Sequence, residues 1–150
     1  MPDLIVASEE EMRAIGSALA PHLRAGDIIA LRGGLGTGKT TLVRGMLEAL
    51  GLEGEAPSPS FAIVQPYEPP ETAIPFTHVD LYRLEDTADT RELGLEEYLD
   101  AGVLAIEWPE RLGGNLWPDA LILDLETTPQ GTRRLTATVP RAWKDRWPFP

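Results

Sequence analysis

The chain has 150 residues, a length that fits one domain with a buried core. It carries 24 acidic and 13 basic residues, and its net charge of -11 argues against direct, non-specific binding to nucleic acid. Cysteine is absent and only two histidines are present, which excludes disulfides, thiolate zinc sites and a typical histidine metal cage. Any metal chemistry should therefore use oxygen ligands, and any contact with RNA should run through a partner.

The N-terminus lacks a basic start followed by an apolar core and a cleavage site, and no apolar run approaches the roughly 18 residues that span a membrane. We therefore expect a cytoplasmic protein that does not act at a membrane. We expect residues 1–150 to form a single domain, with an N-terminal helix region at 1–26 and a C-terminal tail at 140–150.

The first predicted element is a helix that begins after a capping box. Ser8 and Glu11 have the spacing in which the serine hydroxyl and the glutamate satisfy free backbone amides. Met12, Ile15 and Leu19 then repeat at helical spacing, so we expect them to form the buried side. The helix should end near Pro21. We expect it to pack against the rest of the domain, and the alternative is that it offers a surface to a partner.

A glycine-rich stretch follows the next predicted strand. Residues 28–31 are apolar and indicate a buried strand, and residues 39–50 repeat apolar residues at helical spacing. Between them, residues 33–40 read GGLGTGKT and fit the phosphate-binding pattern GxxxxGK[ST] at every required position. Such a loop presents free backbone amides at a helix N-terminus, while Lys39 reaches the β and γ phosphates and Thr40 offers its hydroxyl to a magnesium ion. The alternative is a strand-to-helix turn with no ligand, which would not require the lysine and threonine.

The middle of the chain predicts a loop, a hairpin, a helix and a strand. Residues 51–60 form the loop, in which Ser58 and Ser60 are either ordinary loop residues or hydroxyls near the γ phosphate. Residues 61–64 and 74–81 predict two strands, separated by a turn at Pro66, Pro69 and Pro70, that pair as a hairpin. Residues 91–99 have helical spacing, and residues 103–106 predict a short buried strand.

The last third predicts a second hairpin, with strands at residues 120–125 and 133–139 around the turn at 128–131. The tail contains Trp143 and Trp147, and its sequence is compatible with docking on the core or with meeting another protein. Together the elements predict an α/β sandwich of the P-loop NTPase kind, with a mixed central sheet, antiparallel strands at its edges and a C-terminal hairpin.

Two acids end predicted strands, which is where ligands lie in open α/β sheets. Asp80 follows Phe76 to Val79, and Glu107 follows Val103 to Ile106 as the acid of a Walker B element does. A phosphate-binding loop hydrolyses its ligand only when carboxylates help hold magnesium and orient water, which favours a functional role for both acids over turn capping or pairing with arginine. We expect a structural or supporting role for His78, and core or interface packing for Trp108.

The ordered motifs resemble the TsaE family, small P-loop ATPases also called YjeE that act in the threonylcarbamoyladenosine modification of bacterial tRNA. The P-loop is common to a large superfamily, whereas the HVDLYRL and IEWPE blocks in this order are more specific. Two positions differ from the usual family sequence, which has an acidic residue at Gly34 and SPTF instead of SPSF. The matching blocks are LRGGLGTGKTTLVRGML at residues 31–47, SPSF at 58–61, HVDLYRL at 78–84, ELGLEEYL at 92–99 and IEWPERLG at 106–113.

The resemblance implies an ATPase that uses Mg²⁺, is weakly active alone and is stimulated by two partners, TsaB and TsaD. It also implies that the protein reaches tRNA only through these partners. It implies that Thr40 and Glu107 hold magnesium, and that Lys39, Asp80 and Glu107 are catalytic, with Asp80 positioning the hydrolytic water. ATP is preferred to GTP because the chain has no NKxD or TKxD motif. The residues expected to bind phosphates are Gly33, Gly34, Leu35, Gly36, Thr37, Gly38, Lys39, Thr40 and Thr41.

Two other functions fit parts of the pattern. A small metabolite or nucleoside kinase also combines a P-loop with a compact α/β sheet, but it needs an acceptor pocket and usually an arginine-bearing lid. A binding module that uses ATP only to order the 58–61 loop would not need Asp80 and Glu107.

Overall fold

The computed structural model describes residues 3–54, 64–84, 90 and 93–150. Within these ranges there are two α-helices, α1 (Glu9–Leu19) and α2 (Lys39–Ala49). Short 3₁₀ helices lie at Ala20–His22, Leu95–Leu99, Pro109–Leu112 and Arg141–Trp143. The strands are β1 (Asp3–Val6), β2 (Ile28–Arg32), β3 (Val64–Tyr67), β4 (Phe76–Asp80), β5 (Val103–Glu107), β6 (Leu121–Thr127) and β7 (Arg133–Thr138).

The described strands form one seven-stranded mixed sheet in the order β1-β7-β6-β2-β5-β4-β3. The four central strands, β6, β2, β5 and β4, are parallel, whereas β3 at one edge and β7 and β1 at the other are antiparallel to their neighbours. This arrangement confirms the predicted α/β sandwich with a mixed sheet, antiparallel edges and a C-terminal hairpin, which is β6–β7. The carboxyl ends of β2, β4 and β5 meet at one edge of the sheet, where the phosphate-binding pattern begins.

The core lies on both faces of this sheet. One face packs against α1 and α2, with Ile29 and Leu31 of β2 pointing toward the helices, while Ile28 and Ala30 point into the opposite cluster. Side chains alternate along a strand, so in β4 the residues Phe76, His78 and Asp80 share the helix-covered face. The same alternation puts Glu107 on that face, because Val103 and Ala105 pack there. The two acids and the start of α2 are therefore on the same side of the sheet.

The two α-helices approach each other through glycines. A Cβ at Gly16 of α1 would lie 2.1 Å from the Leu42 carbonyl oxygen, and a Cβ at Gly45 of α2 would lie 2.2 Å from the Arg13 carbonyl oxygen. Both distances are far below a van der Waals contact, so each helix requires a glycine where it faces the other. This close contact fixes α2, and with it the loop that precedes α2, against the domain.

The predicted N-terminal helix is confirmed, although Ile15, expected on its buried side, is only partly buried. The Ser8 hydroxyl accepts a hydrogen bond from the Glu11 amide at 3.2 Å, and the Glu11 carboxylate accepts one from the Ala7 amide at 2.6 Å. Met12 and Leu19 are buried, and the α-helix gives way to the 3₁₀ helix that contains Pro21. Strand β1 was not predicted, because only three apolar residues mark it and its pairing partner, β7, is far away in the sequence.

Two of the remaining elements differ from their predictions by more than one or two residues at an end. Strand β3 continues through Pro66, where we expected a turn. Proline has no backbone N–H to donate, and an edge strand tolerates this because it has no neighbouring strand on its outer side. The helix predicted at residues 91–99 is a 3₁₀ helix from Leu95 in the described part, since Gly94 before it is left-handed with φ of 60°. The predicted strand residues 61–63, and Ser58 and Ser60, lie outside the described residues.

The C-terminal tail docks on the core. Trp143 is 1% exposed, and Trp147 and Phe149 pack against the same cluster. Arg146 donates to both Asp27 carboxylate oxygens at 2.7 and 2.9 Å and to the His22 carbonyl oxygen at 2.7 Å. Of the two possibilities that the sequence allowed for the tail, the structure has the docked one. In the described part of the chain, no helix has the length and apolar character that a membrane span requires.

Candidate nucleotide-binding site

The glycine-rich loop connects β2 to α2 and ends at the N-terminus of α2. Gly38, immediately before the helix, has φ of 103°, a left-handed conformation that a residue with a Cβ rarely adopts. At Gly33 a Cβ would lie 2.4 Å from the Leu125 carbonyl oxygen, so this glycine is required by the close approach of β6. The loop therefore delivers its backbone amides to a helix N-terminus, where anions are favoured.

Lys39 is folded back into this loop. Its Nζ donates to the carbonyl oxygens of Gly33 and Gly34, both at 2.7 Å, and lies 4.5 Å from the centre of the Trp108 ring. Burial lowers the pKa of the Lys39 ammonium, while the nearby carboxylates of Glu107 and Asp80 oppose that shift. The ammonium is thus held inside the loop by neutral oxygens, which an anionic ligand can replace.

The two acids predicted at strand ends lie side by side. Asp80 and Glu107 occupy paired positions in the parallel β4–β5 ladder, and both are buried. The Thr40 hydroxyl is 2.8 and 3.0 Å from the two carboxylate oxygens of Glu107, so it donates to that carboxylate. The Asp80 carboxylate accepts a hydrogen bond from the Tyr82 amide at 3.0 Å. The structure therefore brings Thr40 and Glu107 into contact across 67 residues of sequence.

A histidine that the sequence left without a defined partner joins this group. His78 is 1% exposed, and its Nε2 lies 2.6 Å from Oε2 of Glu107. It belongs to the same face of β4 as Asp80. The expected supporting role for His78 thus has a definite contact, which is with Glu107.

These residues surround a cavity of about 370 Å³. The loop from Leu35 to Thr41, Asp80 and Glu107 line it. Residues 6–9 at the β1–α1 junction, and Gly131 and Arg133 at the β6–β7 turn, line it as well. The cavity is large enough for a small organic ligand, and the glycine-rich loop forms only part of its lining.

Arg133 was not predicted as a site residue. It is the first residue of β7, where it pairs with Val6 of β1, and its guanidinium donates to the Gly36 carbonyl oxygen at 3.1 Å. Among the described residues that line the cavity, two are basic, Lys39 and Arg133. No local sequence pattern marks Arg133, because its contact with the loop spans 97 residues.

Trp108 lies at the cavity wall, as well as packing against the second core cluster. It is the one non-glycine residue with a left-handed backbone in the described ranges, with φ of 60°, and such a conformation costs about 1–3 kcal/mol. Its ring is 4.9 Å from that of Tyr82, which also lines the cavity. Packing was the expected role of Trp108, and the structure adds its contact with Lys39.

The predicted site residues thus converge on one cavity. Leu35, Gly36, Thr37, Gly38, Lys39, Thr40, Thr41, Asp80 and Glu107 line it, and Gly33 and Gly34 hold the lysine through their carbonyl oxygens. No group of three or more histidine or acidic side chains in the described ranges is arranged to hold a metal. A hydroxyl and a carboxylate in contact, Thr40 and Glu107, instead suit an ion such as Mg²⁺ that prefers oxygen and keeps several of its ligands as water and phosphate.

Comparison with known proteins gives one consistent family. The model of the family "Threonylcarbamoyl adenosine biosynthesis protein TsaE" matches residues 6–135. The tRNA threonylcarbamoyladenosine biosynthesis protein TsaE of Streptomyces coelicolor is 40% identical over 132 residues, which cover 85% of this chain and 89% of that protein. The protein of the same name from Bacillus subtilis is 35% identical over 130 residues, covering 86% of this chain and 80% of that protein.

A solved structure gives the same result for the fold. The crystal structure of Bacillus subtilis YdiB matches with a TM-score of 0.81 at 28% sequence identity, covering 97% of this chain and 90% of that one. The family model and the relatives span most of the chain, including the glycine-rich loop and both strand-end acids. The chain therefore belongs to the TsaE family.

Proposed function

We propose that this protein is a magnesium-dependent ATPase that acts with TsaB and TsaD in forming the N6-threonylcarbamoyladenosine modification of tRNA. In this proposal ATP hydrolysis resets the complex between turnovers, and the protein contacts tRNA only through its partners. The observation that carries the proposal is the contact between Thr40 and Glu107, 2.8 Å, in the cavity that Lys39 and the loop amides also line.

The loop and Lys39 would bind the phosphates of ATP. The N-terminal amides of α2 and the positive end of its dipole favour anions at this position. On binding, the Lys39 ammonium would exchange the carbonyl oxygens of Gly33 and Gly34 for phosphate oxygens, whose negative charge adds an ion pair to the hydrogen bonds. The other lining residues, 6–9 and those of the β6–β7 turn, would then contact the ribose and base.

Thr40 and Glu107 would hold magnesium, which neutralises negative charge that develops on the phosphates during hydrolysis. Their oxygens fit this ion because Mg²⁺ takes oxygen ligands and needs few of them from protein. Asp80, the neighbour of Glu107 on β4, would accept a hydrogen bond from the attacking water and so orient it toward the γ phosphate. The two acids then have different tasks although they are adjacent.

The net charge of -11 supports the indirect contact with tRNA, because a strongly acidic protein is repelled by a polyanion. The printed names of the relatives describe them as proteins of tRNA threonylcarbamoyladenosine biosynthesis, which supports the same pathway here.

The test is a pull-down with purified TsaB and TsaD in the presence of ATP and magnesium, followed by phosphate release from the same mixture. We expect recovery of both partners and faster release with them than without them. Turnover that stays unchanged when both are added would contradict the proposed reset of the complex. Appearance of the γ phosphate on a small-molecule acceptor, and not in solution, would favour the kinase alternative.

A further inference from the structure

We propose that His78 is a positioning residue, which orients the Glu107 carboxylate by donating a hydrogen bond from its Nε2–H. This inference rests on the proposed function for the task of Glu107, but the contact itself belongs to the protein without any ligand. His78 is not among the described residues that line the cavity, whereas Glu107 is. His78 therefore acts on the site through Glu107.

The register of the sheet explains how the imidazole reaches the carboxylate. In the β4–β5 pair His78 is opposite Ala105, and Glu107 is two residues further along β5 on the same face. The methyl group of Ala105 leaves space over the strand, so the ring can extend diagonally to Oε2 of Glu107 at 2.6 Å. Both groups are almost fully buried, with side-chain exposures of 1% and 4%.

The hydrogen-bond partners of the ring select one tautomer. A neutral imidazole has one N–H donor and one acceptor nitrogen, and an ionised carboxylate only accepts. Nε2 faces the carboxylate, and Nδ1 is buried without a hydrogen-bond partner in the described part of the chain. A proton on Nδ1 would leave a buried N–H unsatisfied and would turn the Nε2 lone pair toward the carboxylate, so the proton belongs on Nε2.

Glu107 consequently accepts hydrogen bonds from two elements of the fold. Oε2 accepts from His78 on β4 and from Thr40 on α2, while Oε1 is 3.0 Å from Thr40. The histidine therefore fixes the carboxylate while the Thr40 hydroxyl turns toward a ligand. Residues that orient a metal-binding carboxylate in this way commonly change metal affinity or activity about 10–100-fold when they are removed.

The first experiment measures ATP affinity by calorimetry with magnesium and with a chelator, in the wild type, His78→Leu and His78→Gln. Leucine fills much of the space without a donor, whereas the glutamine amide supplies an N–H near the position of Nε2. In the chelator, we expect His78→Leu to bind ATP as tightly as the wild type does. The increase in ATP affinity that magnesium gives should be smaller by about 10-fold or more in this variant. His78→Gln should recover most of that gain.

Thr77→Val is the matched control, because Thr77 is an adjacent, buried residue of β4 that faces the other side of the sheet. A purely structural role for His78 predicts that its variants lose affinity equally with and without magnesium, in proportion to their loss of melting temperature. That outcome, or equal loss in His78→Leu and His78→Gln, or an unchanged magnesium effect in His78→Leu, would overturn the proposal.

The second experiment needs no nucleotide. The chain has only two histidines, so ¹⁵N spectra of the imidazoles can be assigned with a His22→Gln variant. We expect His78 to show the Nε2–H tautomer, and observation of the Nδ1–H tautomer would overturn the proposal. Wild-type protein whose ATP affinity does not respond to magnesium would contradict the proposed function instead, and the tautomer would then still decide whether His78 donates to Glu107.

Discussion

Asp80 and Glu107 are direct neighbours at the ends of two parallel strands, yet their carboxylates have different partners. Glu107 accepts from the Thr40 hydroxyl and from His78, whereas Asp80 accepts from the Tyr82 amide in the turn that follows β4. The contact with Thr40 links Glu107 to the loop, where we propose that these two residues hold magnesium. Because the role proposed for Asp80 is to orient water, the two acids should give different defects.

Asp80→Asn should bind ATP and magnesium within about twofold of the wild type but hydrolyse ATP about 10²–10⁴ times more slowly, because a group that accepts a proton or orients water is lost. Calorimetry and phosphate release measure the two effects separately. Asp119→Asn is the control, since Asp119 is exposed. A variant of Asp80 with normal turnover would exclude it from the hydrolytic step.

Lys39→Ala should weaken ATP binding about 10–100-fold, which is the effect of losing a charge-assisted hydrogen bond of about 1.5–3 kcal/mol to phosphate. Lys144→Ala is a matched control, because Lys144 is the only other lysine of the chain and is exposed. Equal ATP affinity of the two variants in a direct binding titration would show that Lys39 does not contact the phosphates.

Gly16→Ala should destabilise the protein by about 1–3 kcal/mol, although alanine favours helices, because the added methyl group meets the Leu42 backbone and forces the helices apart. Gly114→Ala is the control, since a Cβ there meets nothing within 4 Å. Denaturant unfolding compares the two variants. A Gly16→Ala protein as stable as the wild type would mean that the α1–α2 contact can relax.

The sequence predicts those parts of this structure that local spacing controls. The capping box at Ser8, the loop between β2 and α2 and the two strand-end acids each have a short pattern with a physical reason, and they are found where expected. By contrast, β1 and Arg133 depend on pairing with residues distant in the chain. Such contacts leave no local periodicity.

The contact of His78 with Glu107 also follows from register rather than from spacing. Only the alignment of β4 with β5 places the ring over Ala105 and within reach of the carboxylate. Gly94 shows the reverse case, because apolar spacing predicted a helix through it and its left-handed backbone begins a 3₁₀ helix instead. A single glycine was enough to override the periodic pattern.

Arg146→Met should destabilise the protein by about 3–5 kcal/mol, because it leaves the buried Asp27 carboxylate without its bidentate partner. Arg134→Met is the control: the Arg134–Glu126 pair is largely exposed, and such pairs contribute about 0–1 kcal/mol. Thermal and denaturant unfolding provide the comparison. If both variants lose the same stability, the docked tail contributes no more than a surface ion pair.

We propose that Glu107 serves magnesium-dependent ATP hydrolysis, which TsaB and TsaD stimulate. The most direct measurement is the rate of phosphate release from ATP and magnesium by the wild type and Glu107→Ala, with TsaB and TsaD present and ATP binding measured in parallel. We expect Glu107→Ala to bind ATP but to release phosphate far more slowly than the wild type. Equal rates of release from the two proteins would exclude Glu107 from ATP hydrolysis.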